Sequence, residues 1–141
     1  MAGEATSLVL DSFAVLAYLE GEAGGATVRD LLQEGEAGSR TLFLSLINLG
    51  EILYIIEREQ GLIPAQRALA AIEQLPLTVE PVSRATVLAA AHVKARYSVA
   101  YADTFAVVTA RDHGAVLVTG DPEFEPLAKD GIIQVQWLPR K

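Results

Sequence analysis

The sequence predicts an α/β fold, a central and mostly parallel sheet flanked by helices, and three observations point there. Short continuous apolar runs, Ser7–Leu10 and Ala115–Thr119, suit strands buried on both faces, as parallel strands are. Between them lie segments of helical character that open on Ser or Pro and close on Gly. Hydrophobic residues make up 51% of the chain and charged residues 21%, ample apolar surface to cover both faces of such a sheet. At 141 residues, with no internal repeat, low-complexity stretch or linker, residues 1–141 read as one domain.

The elements follow in order. Ser7–Leu10 is the first strand and stops at Asp11. Phe13–Glu20 is expected as a short helix ended by Gly21, and Gly25–Glu36 as a second. Thr41–Leu44 is apolar but short, and reads as a lead-in to the next helix more than as a strand. Ser45 is placed to cap a helix Leu46–Gln60, with Gly61 just past its end. Pro64 suits the first turn of a helix reaching Leu75, where Pro76 stops it. Leu77–Val82 reads as a strand weakened by Pro81, and Ser83 as the cap of an alanine-rich helix Arg84–Tyr97. A further helix, Ala100–His113, ends at Gly114 and feeds the strand Ala115–Thr119. Asp121-Pro122 opens a short helical turn, and Ile132–Leu138 is the last strand.

Composition narrows the functions open to such a chain. With no cysteine there is no disulfide framework, thiol nucleophile or cysteine-type zinc site. The uncharged stretch between Arg40 and Glu51 is too short to span a membrane. Met1–Ser7 lacks a basic segment before an apolar core, so no signal peptide is expected and a cytoplasmic protein is the default. A net charge of -7 points away from nucleic acid, whose binders gain affinity by releasing counterions from phosphates. A partner of that kind would need bound divalent metal or a local basic stripe, for which Arg58, Lys94, Arg96 and Arg111 are candidates.

Four acids carry the chemical signal. Asp11 directly follows the first strand, and Asp121 follows Ala115–Thr119 by two residues. In open α/β sheets ligands gather beyond the carboxyl ends of the strands, so neighbouring strands would put both acids in one crevice. Each has a bland alternative, Asp11 as a helix cap and Asp121 as the cap before Pro122. Glu51 lies on a helix apolar almost all round, with Ile47, Asn48, Tyr54 and Ile55 as its neighbours. Arg58 is the nearest basic residue along that helix, and a Glu51–Arg58 pair is the structural alternative. Asp103 shares a face with Ala100, Ala106, Val107 and Ala110, and could instead serve the helix dipole in a first turn. Like charges raise one another's pKa, so such a cluster calls for a cation. Oxygen-only ligands favour Mg2+ or Mn2+ over zinc; His92 and His113 lack ligand spacing and are expected on helix surfaces. The chemistry that suits the site is phosphodiester hydrolysis, in which metal polarises a phosphoryl oxygen and activates water.

Four blocks of sequence resemble the PIN domain, and within it the VapC-like toxins of toxin–antitoxin pairs. They are Val9–Ser12, Ser45–Glu51, Tyr101–Ala106 and Leu117–Phe124, in family order from the first strand to the last quarter of the chain. The resemblance implies a PIN-like three-layer fold in which Asp11, Glu51, Asp103 and Asp121 bind Mg2+ or Mn2+, Asp121 being the most variable or indirect ligand. It implies that Ser12 and Thr119 hold the acids in place. It further implies a homodimer that cleaves single-stranded RNA to leave a 5′ phosphate, held in check by a cognate antitoxin. Gly120, often larger and polar or basic in relatives, departs from the pattern and touches substrate contacts more than catalysis.

Other acid-bearing α/β folds fit the sequence less well. A Mg2+-binding phosphoacceptor domain would want adjacent acids near the first strand and a Lys after the last, but Asp11 has no acidic neighbour and Lys129 and Lys141 are poorly placed. A haloacid-dehalogenase-type phosphatase would want Asp-x-Asp where the sequence has Asp11-Ser12-Phe13. A PIN-like fold kept as a non-catalytic binding module is the alternative from another class.

Overall fold

The structure, a computed structural model, describes residues 6–139. Met1–Ala5 and Lys141, weighed in the sequence, lie outside the described residues. Strands β1 (Thr6–Leu10), β2 (Arg40–Ser45), β3 (Thr78–Glu80), β4 (Val116–Thr119) and β5 (Val135–Trp137) pair in parallel in the order β3-β2-β1-β4-β5. The helices are α1 (Ser12–Glu20), α2 (Gly25–Glu36), α3 (Leu46–Gln60), α4 (Leu62–Glu73), α5 (Arg84–Arg96), α6 (Tyr101–His113) and α7 (Glu125–Lys129). A 3-10 turn, Pro122–Phe124, precedes the last of them.

From β1 the chain builds outward through β2 to β3, then returns to add β4 and β5 on the other side of β1. The direction of winding therefore reverses between β1 and β4, and that reversal opens a crevice at their carboxyl ends. Leu10 pairs with Val118, so Asp11 and Thr119 emerge side by side. The order also departs from the 2-1-3-4-5 arrangement of phosphoacceptor domains.

Alternation along the strands sorts the core into two layers. Leu8, Leu10, Leu42, Leu44 and Val118 face the core shared with α1 to α4. Val9, Phe43 and Leu117 face the opposite core, which takes in α5, α6 and α7. Helix α6 is the most enclosed, with every residue from Asp103 to Ala110 buried.

Several expectations change. Thr41–Leu44 is no helix lead-in: it lies within β2, an interior strand between β1 and β3. Its side chains alternate between the two cores, a role that depends on partners distant in sequence. Nor is α3 buried all round, since Leu46 is 45% and Tyr54 53% exposed, while Asn48, Ile52 and Ile56 form the buried side. Helix α4 carries Pro64 in its first turn as expected but stops at Glu73, short of Leu75, and the strands expected at Leu77–Val82 and Ile132–Leu138 shorten to β3 and β5.

Helices α1 and α2 pack so closely that a Cβ at Gly25 would stand 2.6 Å from the Ala17 carbonyl oxygen. Backbone cannot yield as a flexible side chain does, so Gly25→Ala should cost about 1–3 kcal/mol. Gly50, in mid-helix with open space around it, should gain roughly 0.5–1 kcal/mol on becoming Ala. Urea midpoints at unchanged slope measure both, and a Gly25→Ala variant as stable as the parent contradicts this packing.

Candidate metal centre

Asp11 leaves β1 with extended backbone and caps α1, one carboxylate oxygen accepting from the Ala14 amide at 2.9 Å. Its other oxygen accepts from the Thr119 hydroxyl at 2.5 Å. The cap reading is thus met by one oxygen, while the other ties Asp11 to the end of β4. Thr119 Oγ1 in turn accepts from the Asp121 amide at 3.0 Å, so one hydroxyl ties the end of β1 to the loop after β4. Asp121 caps the 3-10 turn, accepting from the Glu123 amide at 2.9 Å.

Glu51 reaches the same region from α3. Ser12, the first residue of α1, donates its hydroxyl to Glu51 Oε1, and the Asn48 carbonyl oxygen is 3.3 Å from that hydroxyl. Asn48 Nδ2 donates to Glu51 Oε1 at 3.4 Å and to the Ala102 carbonyl oxygen of α6 at 3.2 Å. Asn48 is fully buried, and its Oδ1 has no partner among the described residues. A buried acceptor left unpaired costs about 1–3 kcal/mol.

Asp103 stands in the first turn of α6 and is buried. No side chain of α6 caps that helix; instead Glu123 Oε1 accepts from the Ala100 amide at 3.2 Å. Asp103, Asp121 and Glu123 each offer a carboxylate oxygen within 4.8 Å of the others. The charges of Asp11, Glu51, Asp121 and Glu123 all act on Asp103, and among the described residues the carboxylates that come this close together are those of Asp103, Asp121 and Glu123, not of Asp11 or Glu51. Glu123 went unnoticed in the sequence because locally it is an ordinary first-turn acid. The only signal was its spacing, two residues after Asp121 in a turn opened by Pro122.

Electrostatics record this convergence. Burial pushes Asp11 up to about 7, against the lowering bonds from Thr119 and Ala14, and the charges of Asp121 and Glu51 add to the rise. Asp103 also reaches about 7, first through burial and then through Asp121, Glu51, Asp11 and Glu123. No basic side chain pairs with any of these acids among the described residues, where the ion pairs are Arg29–Asp30, Arg40–Glu34 and His113–Glu80. Arg58 does not pair with Glu51: its guanidinium lies over the Tyr54 ring, 5.3 Å from the centroid. His92 and His113 lie on the surface, His113 stacking on Phe43.

Of the basic candidates, Lys94 and Arg96 lie in the last turn of α5 and Arg111 in the last turn of α6. Lys94 donates to the Val99 carbonyl oxygen at 2.8 Å, and Arg96 and Arg111 both act on the Tyr97 phenol, which donates to Asp130. A groove of about 700 Å³ is lined by Tyr97, Ser98, Glu123, Lys129 and Asp130 among others.

Residues 8–130 match the family model of the PIN domain. The chain belongs to the PIN domain family. Its fold is similar to that of VapBC2 from Rickettsia felis bound to a promoter DNA fragment, with TM-score 0.73 and 15% identity over 95% of this chain and 100% of that one. It is similar also to VapC20 of Mycobacterium tuberculosis, a sarcin-ricin-loop-cleaving toxin, with TM-score 0.71 and 21% identity over 95% and 100%. DNA-bound VapBC from Salmonella typhimurium gives TM-score 0.67 and 21% identity over 93% and 97%. No curated protein matches the sequence.

In this PIN domain the raised acids fix the sign of a pH effect. Unfolded, Asp11 and Asp103 titrate near 3.8; folded, they hold protons to about 7. Between those values the folded chain binds more protons than the unfolded one, so metal-free stability falls as pH rises and levels off above about 7. The melting temperature without metal should be higher at pH 5 than at pH 8, and Asp103→Asn should raise the pH 8 value. Millimolar Mn2+ should bind the ionised acids and so shrink or reverse the pH difference. The same pH trend with and without Mn2+ contradicts the assignment.

Proposed function

We propose that this chain is a metal-dependent endoribonuclease that hydrolyses phosphodiester bonds of single-stranded RNA, the toxin of a toxin–antitoxin pair. The observation that carries the reading is the convergence of Asp11, Glu51, Asp103 and Asp121 on one crevice without a basic partner among the described residues. Membership in the PIN family and the fold shared with VapC20 support it. The donor set is carboxylate oxygen alone, which fits a hard cation, Mg2+ or Mn2+, and offers nothing to a soft one.

In this reading Asp11, Glu51, Asp103 and Asp121 hold the cation, with Glu123 at the outer side. A bound cation supplies polarisation of the phosphoryl oxygen and a lowered pKa for the attacking water. The chain's own residues supply order in advance. Thr119 and the Ala14 amide fix the Asp11 carboxylate, while Ser12 and Asn48 fix Glu51. Acids already oriented by such bonds need little rearrangement when charge develops.

Lys94, Arg96 and Arg111 offer the local basic surface that a chain of net charge -7 needs to meet RNA. The acidic crevice suits a basic segment of a cognate antitoxin. Exposed Leu46 and Tyr54 of α3 and Leu62 and Ile63 of α4 offer apolar surface for a homodimer. No helix of the described residues is long and apolar enough to cross a membrane, and a cytoplasmic setting completes the proposal.

The test is cleavage of a single-stranded RNA by the purified chain and by Asp11→Asn. Wild type should cut only with Mg2+ or Mn2+ and leave a 5′ phosphate. The variant should lose more than the roughly 10–100-fold that removal of an outer partner costs. Equal activity in both removes the site, and no activity in either leaves a binding module in place of an enzyme.

A further inference from the structure

We propose that the groove beside Glu123 is a base-reading subsite, in which Asp130, held by Tyr97, pairs with the Watson–Crick edge of a guanine flanking the cleaved phosphodiester. The proposal rests on the ribonuclease reading above and adds to it the base that the site selects.

The groove and the acids share a side chain. Glu123 lines the groove, and its carboxylate lies within 4.8 Å of those of Asp103 and Asp121. An RNA whose phosphate meets these acids therefore has a neighbouring nucleotide within reach of the groove. A volume of about 700 Å³ is that of a small-ligand site.

The lining favours a base over a phosphate. Tyr97, Pro122 and Pro126 give apolar ring surface, against which the flat face of a base packs. The charged side chains are Glu123, Glu125 and Asp130 against Lys129 alone, an acidic balance that repels a phosphate. Phosphates find their cations outside the groove, at exposed Arg96 and Arg111, whose charges reach the Tyr97 phenol.

Asp130 sets which base fits. Tyr97 packs against the core of α5 and α6 and donates its hydroxyl to Asp130 Oδ2 at 2.7 Å, which holds the carboxylate in place. Among the described residues Asp130 makes no ion pair, and Tyr97 is the one side chain that donates to it. An ionised carboxylate only accepts, and two N–H groups side by side match its two oxygens. Guanine presents such a pair, N1–H beside the N2 amino group, on its Watson–Crick edge. Adenine, cytosine and uracil each set an acceptor next to their donor, and the carboxylate repels it. Asp130 thus reads the base, and Tyr97 is its positioning residue.

Cleavage of RNA oligomers that differ only in one base within a run of uridines provides the test. Wild type should cut beside guanine with kcat/KM about tenfold or more above the other bases. Asp130→Asn, an exposed change that still accepts from Tyr97, should erase the preference through KM with kcat little altered. Tyr97→Phe keeps the ring, frees Asp130 and should lose part of the preference. Wild type without a preference for guanine, or a preference unchanged in either variant, overturns the proposal. If wild type cuts none of these RNAs, the ribonuclease reading fails separately, and nuclear magnetic resonance decides the groove. Guanosine 5′-monophosphate should shift the Tyr97 and Asp130 amide resonances more than the adenosine, cytidine or uridine monophosphates do. Equal shifts or none overturn the subsite. So does an arginine-rich peptide that moves these resonances where no nucleotide does, which makes the groove the seat of a protein partner.

Discussion

Buried carboxylates without counter-charge are the constraint on which the rest of this structure turns. Removing an ion from water still costs several kcal/mol after relaxation, and a neighbouring acid adds to that cost. Asp11 is 2% exposed and Asp103 8% exposed, and each feels the charges of Asp121 and Glu51. A fold keeps such groups together only where the surrounding packing stabilises it by more than they cost. Here the packing is the parallel sheet with its two apolar cores, and the acids sit where the winding reverses between β1 and β4.

What surrounds the acids steadies their positions without neutralising them. Every bond given to Asp11, Glu51 and Asp121 comes from a hydroxyl, a side-chain amide or a backbone amide, all uncharged donors. An arginine in the same place would satisfy the carboxylates and leave nothing for a cation to do. Thr119 is the hinge of this arrangement, donating to Asp11 while accepting from the Asp121 amide. Glu123 performs a similar double service, capping α6 through Ala100 while joining Asp103 and Asp121.

Much of this was legible in the sequence, and the reasons differ from element to element. Ser7–Leu10 and Ala115–Thr119 were readable because a strand buried on both faces needs an unbroken apolar run. The helix ends at Gly21 and Gly114 were readable because both positions take left-handed backbone, with φ of 66° and 57°. Strand β2 escaped because Ser45 ends it and also caps α3, leaving no turn to separate strand from helix. Its identity comes from pairing with Thr6–Val9, which local pattern does not display. The acids were found by their positions after strands and on apolar helices. Glu123 and Asn48 were not, since the role of each depends on a backbone group of α6 that meets it only in the folded chain: the Ala100 amide and the Ala102 carbonyl.

The central claim, that these acids grip a hard divalent ion, is tested most directly by anomalous diffraction from crystals of the chain grown with Mn2+. The account predicts a manganese peak in the crevice, about 2.1 Å from carboxylate oxygens of the Asp11 and Asp103 side chains. Crystals saturated with Mn2+ that show no peak there, or show one only at acids elsewhere on the surface, would contradict it.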